Sequence, residues 1–329
     1  MPFDISRLPE SPKYHCVGFD RNLCHFVEMD REAYRRSIFL DRRVQPADPY
    51  VHAVALPAVD RAFDGRSVPP SGWIFHVAHC GSTLLANLLD QPDVSLVLRE
   101  PPTLRQLGIE QATSGAEDFQ ARLRLARALT ARRFKADEQA VIKANVPVNF
   151  ILSELQGHIS GEPAIALYLD WQDYLVAILR SEGHRQWVER ITRQLGPLIS
   201  ARLDEPIPDT LAGRAAALWL AQMAIFTALL DANPAAAALN ANDLFARPLD
   251  VAKQCAMHMG LMNFDPVRNA PLIRQYSKNP NQAFTNEERQ KRLLDDQTRL
   301  AGDLDIAERW LGNAKYGGML SQPFGRIIV

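Results

Sequence analysis

The sequence predicts an α/β fold in which a parallel sheet is flanked by helices, with a helical C-terminal half and a short N-terminal extension. In the first half of the chain, apolar runs of strand length alternate with leucine- and alanine-rich stretches of helical spacing. Strands that alternate with helices form parallel sheets that are covered on both faces. The later part of the chain is mostly helical in pattern, above all in the alanine-rich stretch 211–230.

The main sheet is predicted from short apolar runs that end at turn residues. Its strands are expected at residues 73–78, 94–98, 140–142 and 164–169. Between and after these strands, apolar side chains recur with helical spacing. The helices are expected at residues 82–89, 119–133, 146–154, 173–180, 211–230, 249–259 and 286–311. Together these elements form one domain that spans residues 71–329.

Residues 1–70 are predicted to form the N-terminal extension. Two short strands, 14–19 and 23–28, are separated by a polar turn. Several prolines between residues 45 and 72 favour a loop there, with one helical turn near Val59.

Composition is that of an ordinary globular protein. Of the 329 residues, 47% are apolar and 23% are charged, and 37 basic against 38 acidic side chains leave a net charge of −1. Non-specific binding of nucleic acid needs a basic surplus, so no nucleic-acid partner is expected. No apolar run approaches the ~20 residues of a membrane helix, so no membrane partner is expected either.

A cytoplasmic location is predicted from the first residues and from the cysteines. The N-terminus lacks the apolar core of a signal peptide. Four cysteines, Cys16, Cys24, Cys80 and Cys255, are too few for a disulfide scaffold in so long a chain. Cys16 and Cys24 each have a histidine neighbour, but their spacing is not typical of a zinc site, so no metal is expected.

The strand-turn-helix pattern at residues 73–89 predicts an anion site. Gly81 permits a tight turn, and the amides that open the following helix then point outward at its positive end. Ser82 and Thr83 add hydroxyl donors. The segment is not a Walker A loop, because His76 stands at that motif's first glycine and Ser82 at its lysine. A tight turn capped by a serine is the structural alternative.

Residues 80–94 run from Cys80-Gly81-Ser82-Thr83 through a leucine-rich helix to Pro92-Asp93-Val94, and Glu100-Pro101 follow. This order resembles the 5′-phosphosulfate loop of the sulfotransferase superfamily, in the form found in its bacterial and tyrosylprotein branch. Later segments resemble the same branch. They are residues 239–248 with Met259-Gly260-Leu261, Lys143 at the end of a predicted strand, and Ser277-Lys278.

The resemblance implies a P-loop-type transferase. Its donor would be 3′-phosphoadenosine 5′-phosphosulfate (PAPS), which leaves PAP, and its acceptor a hydroxyl or amine of an unknown small molecule or peptide. Glu100 would be the general base, and Lys143 would stabilise charge on the sulfuryl or leaving group. His79 stands where the superfamily usually has a lysine or arginine, and a histidine can donate to the leaving oxygen. The 5′-phosphate would be held by His79, Cys80, Gly81, Ser82 and Thr83.

Structural roles remain open for several of these residues. Glu100 could instead pair with Arg99 or Arg105, and Lys143 could be a strand-end lysine that reaches water. Cys80 lies beside a helix N-terminus, which lowers a thiol pKa, but no base accompanies it and a cysteine nucleophile is not expected.

The chain departs from the superfamily at the donor's 3′-phosphate. Leu169 and Ala177 stand where the superfamily has the arginine and serine that hold this group. The candidates to replace them are Arg180, Arg185, Ser277 and Lys278. Two alternative functions therefore stay open. One is a kinase-like phosphotransferase, for which Asp170 is the only acidic strand end, and the other is a degenerate nucleotide-binding protein without catalysis.

Overall fold

The computed structural model of the chain describes residues 3–113, 118–276, 279–315 and 324–328. Within these residues the strands, in chain order, are β1 (Tyr14–Asp20), β2 (Leu23–Glu28), β3 (Asp48–Ala55), β4 (Gly72–His76), β5 (Ser95–Arg99), β6 (Gln139–Lys143), β7 (Ala164–Tyr168), β8 (Ala236–Asn240), β9 (Gln275–Tyr276) and β10 (Asn279–Ala283). The helices are α1 (Arg31–Arg36), α2 (Leu56–Phe63), α3 (Ser82–Leu89), α4 (Pro102–Thr113), α5 (Phe119–Thr130), α6 (Val146–Asn149), α7 (Leu152–Ile159), α8 (Trp171–Leu179), α9 (Glu182–Leu203), α10 (Leu211–Ala232), α11 (Ala241–Ala246), α12 (Pro248–His258), α13 (Asn286–Arg299) and α14 (Ala301–Asn313).

The central sheet is parallel throughout and runs in the order β5-β6-β4-β7-β8. Every residue of β4 and β5 is buried, as expected for strands that carry helices on both faces. The predicted α/β fold with a parallel sheet, flanking helices and a helical C-terminal half is thereby confirmed. The sequence pattern does not predict β8, because its run of alanines has little preference for strand structure.

The strand order singles out the carboxyl ends of the strands around β4. The chain leaves β4 through α3 and passes over the position of β6 to reach β5, whereas β7 and β8 are added on the other side of β4. The direction of winding therefore reverses at β4. Open α/β sheets bind ligands at the carboxyl ends of the strands beside such a reversal.

The long helix α10 lies inside the helical half. Its cap is Thr210, whose hydroxyl accepts the Gly213 N–H at 3.2 Å. By length and apolar composition, with a mean hydropathy of 1.6, this helix could cross a membrane. A helix of this kind was not expected from the sequence. In the fold, however, 78% of that apolar window is buried inside the protein. Most of its apolar surface therefore packs against other parts of the protein.

The N-terminal residues pack on the β5 side of the sheet. β1, β2 and β3 form an antiparallel sheet, and Met29 and Tyr34 share a hydrophobic cluster with Leu96 and Leu98 of β5. The Leu40 N–H donates to the Arg99 carbonyl at 2.9 Å. This packing carries the segment after α1 to the carboxyl end of the sheet.

The prediction of a loop over residues 45–72 is wrong at β3, whereas the helical turn predicted near Val59 is confirmed by α2. β3 is an edge strand whose side chains are mostly exposed, so it lacks the buried alternation that predicts a strand. Pro49 is tolerated there because an edge strand has amides that need no partner strand.

Candidate functional site

The connection between β4 and α3 is held in an unusual backbone conformation. Ala78, His79 and Gly81 all have positive φ, at 71°, 52° and 77°. Glu100, which follows β5, also has a positive φ of 60°. Such angles are costly for residues other than glycine and concentrate at functional sites. The strain marks the same two positions that the sequence singles out.

Gly81 is required by its surroundings as well as by its φ. A Cβ atom at this position would lie 2.8 Å from Cζ of Phe245, in the helix α11. The absence of a side chain therefore lets the loop pack directly against the Phe245 ring.

The first turn of α3 offers hydrogen-bond donors without protein acceptors. Ser82 and Thr83 are both buried, and Oγ1 of Thr83 has no hydrogen-bond partner within the described part of the chain. The opening amides of a helix likewise lack partners inside the helix and carry its positive end. A buried hydroxyl without a partner is costly unless a ligand completes it. The loop and helix therefore form a candidate anion site.

Two cavities of about 300 Å³ each lie on the two sides of this loop. His79, Ser82 and Thr83 line both of them. The first cavity extends toward α8 and α13, and the second toward Glu100 and Lys143 at the ends of β5 and β6. A group bound at the loop would consequently be accessible from both cavities.

The first cavity combines arginines with an aromatic wall. Arg180 lies in this wall and donates to the Tyr276 hydroxyl at 3.5 Å. The guanidinium of Arg289 stacks on Phe245, 3.9 Å from the ring centroid, and donates to Oδ1 of Asn242 at 2.9 Å. Burial lowers the pKa of Arg289 from its ordinary value, and the nearby carboxylate of Asp173 opposes that change.

The wall of the first cavity also shows how this chain differs at the expected 3′-phosphate position. Leu169 and Ala177 both line the cavity and offer no side-chain donor, whereas Arg180 lines it one helical turn beyond Ala177. Arg185 lines neither cavity and instead forms an ion pair with Asp303 at 3.0 Å. Of the two arginines considered as replacements, the fold brings only Arg180 to this cavity.

The second cavity contains a buried ion pair. Nζ of Lys143 pairs with Oε1 of Glu100, and only 1% of the lysine side chain is exposed. Nε2 of His76 lies 3.9 Å from the same carboxylate oxygen, while its Nδ1 accepts the Ala78 N–H at 3.1 Å. Lys143 does not reach water, and Arg99 pairs with Asp90 rather than with Glu100. The alternatives of a Glu100 paired with Arg99 and of a Lys143 that reaches water are therefore wrong.

The two other loop residues named from the sequence differ sharply. The His79 ring lies 4.1 Å from the His184 ring and 5.8 Å from Trp187, between the two cavities. Nδ1 of His184 contacts the Ala177 carbonyl at 2.9 Å, which assigns the ring proton to that nitrogen because a carbonyl only accepts. Cys80 is buried, and burial raises the pKa of its thiol to about 11, which agrees with the expectation of an unreactive cysteine.

The structure adds residues that the sequence reasoning missed. Arg289 and Asn145 line the first and second cavity respectively, and Phe39 and Arg43 of the N-terminal extension line the second. None of these residues lies in a recognisable motif. The closeness of Asn145 to Lys143 in the sequence is the one signal that could have indicated a site residue. Ser277 and Lys278, which the sequence proposed for the donor, lie outside the described residues.

Metal-ligating side chains are not clustered in the described ranges: no group of three or more His, Cys, Asp or Glu could hold an ion. Near Cys16 and Cys24, His15 is buried and its pKa is lowered to about 3 by that burial. All four cysteines are free thiols.

The chain was also compared with known proteins. No family model matches it, and neither does any curated protein sequence.

Proposed function

We propose that the chain is a sulfotransferase-like enzyme that transfers a sulfuryl group from PAPS to a hydroxyl or amine acceptor. One observation carries the proposal: two cavities of similar volume meet at His79, Ser82 and Thr83, and the Glu100–Lys143 pair lines the second of them. Group transfer between two bound substrates depends on such positioning. The residues and their order resemble the sulfotransferase superfamily, which supports this reaction over others.

The first cavity is proposed to bind the donor. The amides from Gly81 to Thr83, at a helix N-terminus, and the Thr83 hydroxyl, which has no partner among the described residues, would hold its 5′-phosphate. Arg180 would hold the 3′-phosphate in place of the side chains that Leu169 and Ala177 lack. Phe245 supplies an aromatic face for the purine.

The second cavity is proposed to bind the acceptor. Glu100 would take the proton of the acceptor hydroxyl as its oxygen forms a bond to sulfur. The bond between sulfur and the bridging phosphate oxygen then breaks, and PAP leaves with that electron pair. Lys143, in the second cavity, and His79, which lines both cavities, would stabilise the negative charge on the sulfuryl and leaving oxygens. In this arrangement the donor and the acceptor would share contacts only with the loop residues that line both cavities, His79, Ser82 and Thr83.

A second candidate function is nucleotide binding without transfer. It is favoured by Leu169 and Ala177, which leave the expected 3′-phosphate wall without two polar ligands. The kinase-like alternative has no such support, because Asp170 is exposed and lines neither cavity. For either transferase we propose a cytoplasmic location, in keeping with four buried free cysteines.

A thermal-shift screen against PAP, ATP and ADP, with and without Mg²⁺, followed by an assay of labelled sulfate transfer from PAPS, tests the proposal. Stabilisation by PAP with transfer supports a sulfotransferase. Stabilisation by PAP without transfer to any hydroxyl or amine supports the binding protein. Stabilisation that needs ATP and Mg²⁺ contradicts both and supports a kinase-like enzyme.

A further inference from the structure

We infer that the second cavity selects a small acceptor that carries a carboxylate or phosphate group beside the hydroxyl or amine that reacts. The reaction itself rests on the proposed function, but the charge of this cavity does not. The inference is argued from the charges that line the cavity, from one buried amide and from the cavity's size.

The second cavity has an excess of positive charge. Its lining contains one carboxylate, Glu100, and four cationic side chains. Two of the four are neutralised: Lys143 by Glu100, and Arg43 by Asp41, which accepts its Nε at 2.8 Å and its Nη2 at 2.5 Å. The remaining two are Arg105 and Arg190.

Neither of these two arginines is in direct contact with a carboxylate of the described residues. Within the residues that the structure describes, no side-chain hydrogen bond and no ion pair within 4.0 Å involves Arg105 or Arg190. Arg190 is exposed on α9, whereas Arg105 is partly buried on α4. The two guanidiniums are therefore available to a ligand in the cavity.

The surroundings of Arg105 favour a bound anion. Burial lowers the pKa of Arg105. The nearby carboxylates of Glu100 and Asp41 oppose that change, and the smaller repulsion from Arg190 and Arg42 adds to it. An anion bound between Arg105 and Arg190 would offset part of this burial cost, as the two carboxylates do. Carboxylate and phosphate are the groups that a guanidinium binds with two parallel hydrogen bonds.

Asn145 shows that the cavity wall is built for a polar ligand. It lines the cavity and is only 6% exposed, yet neither its Nδ2 nor its Oδ1 has a hydrogen-bond partner among the described residues. Buried amides are nearly always satisfied by the protein, by water or by a ligand. Asn145 therefore offers one donor and one acceptor group to a molecule in this cavity.

The size and the walls of the cavity restrict the acceptor further. About 300 Å³ is at the lower end of small-molecule sites. Phe39 and Trp187 provide aromatic surface on its walls. A compact aromatic hydroxy acid or hydroxyphenyl phosphate therefore fits the cavity by volume, apolar surface and charge.

The test compares phenols that differ only in the charge of their second group. The probes are 4-hydroxyphenylacetate and 4-hydroxyphenyl phosphate (anionic), 4-methylphenol (neutral) and tyramine (cationic). Binding is measured by calorimetry in the presence of PAP, and transfer is measured with labelled PAPS. We expect at least one anionic probe to bind tenfold or more tightly than the neutral and cationic ones. Which anion binds better distinguishes a carboxylate from a phosphate acceptor.

Arginine variants assign that preference to the cavity. Arg105→Gln and Arg190→Gln should each reduce it at least threefold, and Arg190 is exposed, so its variant keeps the fold. Arg193→Gln is the matched control, because Arg193 is exposed one helical turn further along α9 and lines neither cavity. It should leave the preference unchanged.

The outcomes separate this inference from the proposed function. Anion preference that depends on Arg105 or Arg190, without sulfate transfer, supports the inference and removes the sulfotransferase proposal. Transfer to all phenols without charge preference does the reverse. Equal binding of all probes, no binding of any at millimolar concentration, or a preference that survives both arginine variants would overturn the inference.

Discussion

Replacing Thr83 with valine should raise the stability of the free protein and weaken its binding of PAP. The side chain is only 3% exposed and its hydroxyl has no partner in the described part of the protein. Valine has nearly the same shape and a similar helix propensity. Removal of an unsatisfied buried hydroxyl should return about 1–3 kcal/mol of unfolding free energy. In a chain of 329 residues, each kcal/mol corresponds to a rise of about 1.5 °C in Tm.

The same substitution should cost binding energy. A hydrogen bond from the Thr83 hydroxyl to a charged phosphate is worth about 1.5–3 kcal/mol. Its loss should weaken PAP binding about 10- to 150-fold. Tm by calorimetry and Kd by isothermal titration measure the two effects on the same sample.

Thr192→Val is the matched control for this experiment. Thr192 is equally buried in α9, but its hydroxyl donates to the Val188 carbonyl at 2.8 Å and lies in neither cavity lining. Its variant should lose about 0.5–1.5 kcal/mol of stability and keep its PAP affinity. A less stable Thr83→Val protein with unchanged PAP binding would refute the reasoning, because the hydroxyl would then serve the fold and not a ligand.

Three further predictions follow from the two cavities. Glu100→Gln should lower kcat about 10²–10⁴-fold with little change in PAP affinity, because Glu100 lines only the second cavity; near-normal turnover would remove it from the mechanism. Arg180→Ala should abolish the preference for PAP over AMP in titrations, because Arg180 lines the first cavity. Arg185→Ala should leave this preference intact, because Arg185 pairs with Asp303. The opposite pattern would assign the 3′-phosphate to Arg185. Gly81→Ala should lose more unfolding free energy in chemical denaturation than Gly65→Ala. Both glycines have positive φ, but only a Cβ atom at Gly81 would meet Phe245. Equal losses of unfolding free energy would show that this contact is unimportant.

The parts of the fold that local pattern specifies could be predicted from the sequence. β4 and β7 are rich in bulky apolar residues and end at turns, so their strand character is visible locally. β8 and β3 become strands because neighbouring strands pair with them. The alanines of β8 and the mostly exposed side chains of β3 do not predict that pairing. The helix α9, which contains Pro197, was likewise absent from the expectation, since its polar sequence gains a buried face only after packing against α10.

The candidate site shows the same division. Gly81, Ser82 and Thr83 could be singled out because a strand, a tight turn and a helix N-terminus are consecutive in the chain. Glu100 and Lys143 meet because β5 and β6 are adjacent parallel strands, in which Arg99 is paired with Lys143. Such a meeting follows once the strand order is known.

The remaining site residues are brought together only by the tertiary fold. Arg289 lies more than 200 residues beyond the loop that it faces across the first cavity. Arg43 reaches the second cavity from the N-terminal extension, and Arg105 from α4. An arginine has the same local pattern whether it faces water or a cavity, so the sequence alone could not select Arg289 or Arg43, and it indicated Arg105 only as a possible partner of Glu100.

The most direct test of the central claim is a crystal structure of the protein in complex with PAP. The account predicts that the 5′-phosphate oxygens lie about 3 Å from the amides of Gly81, Ser82 and Thr83 and from Oγ1 of Thr83, with the 3′-phosphate at Arg180. The 5′-phosphate should lie where the two cavities meet, so that a sulfuryl group attached to it would point into the second cavity, which Glu100 lines. PAP bound elsewhere, or bound in the first cavity with its 5′-phosphate away from this loop, would contradict the account.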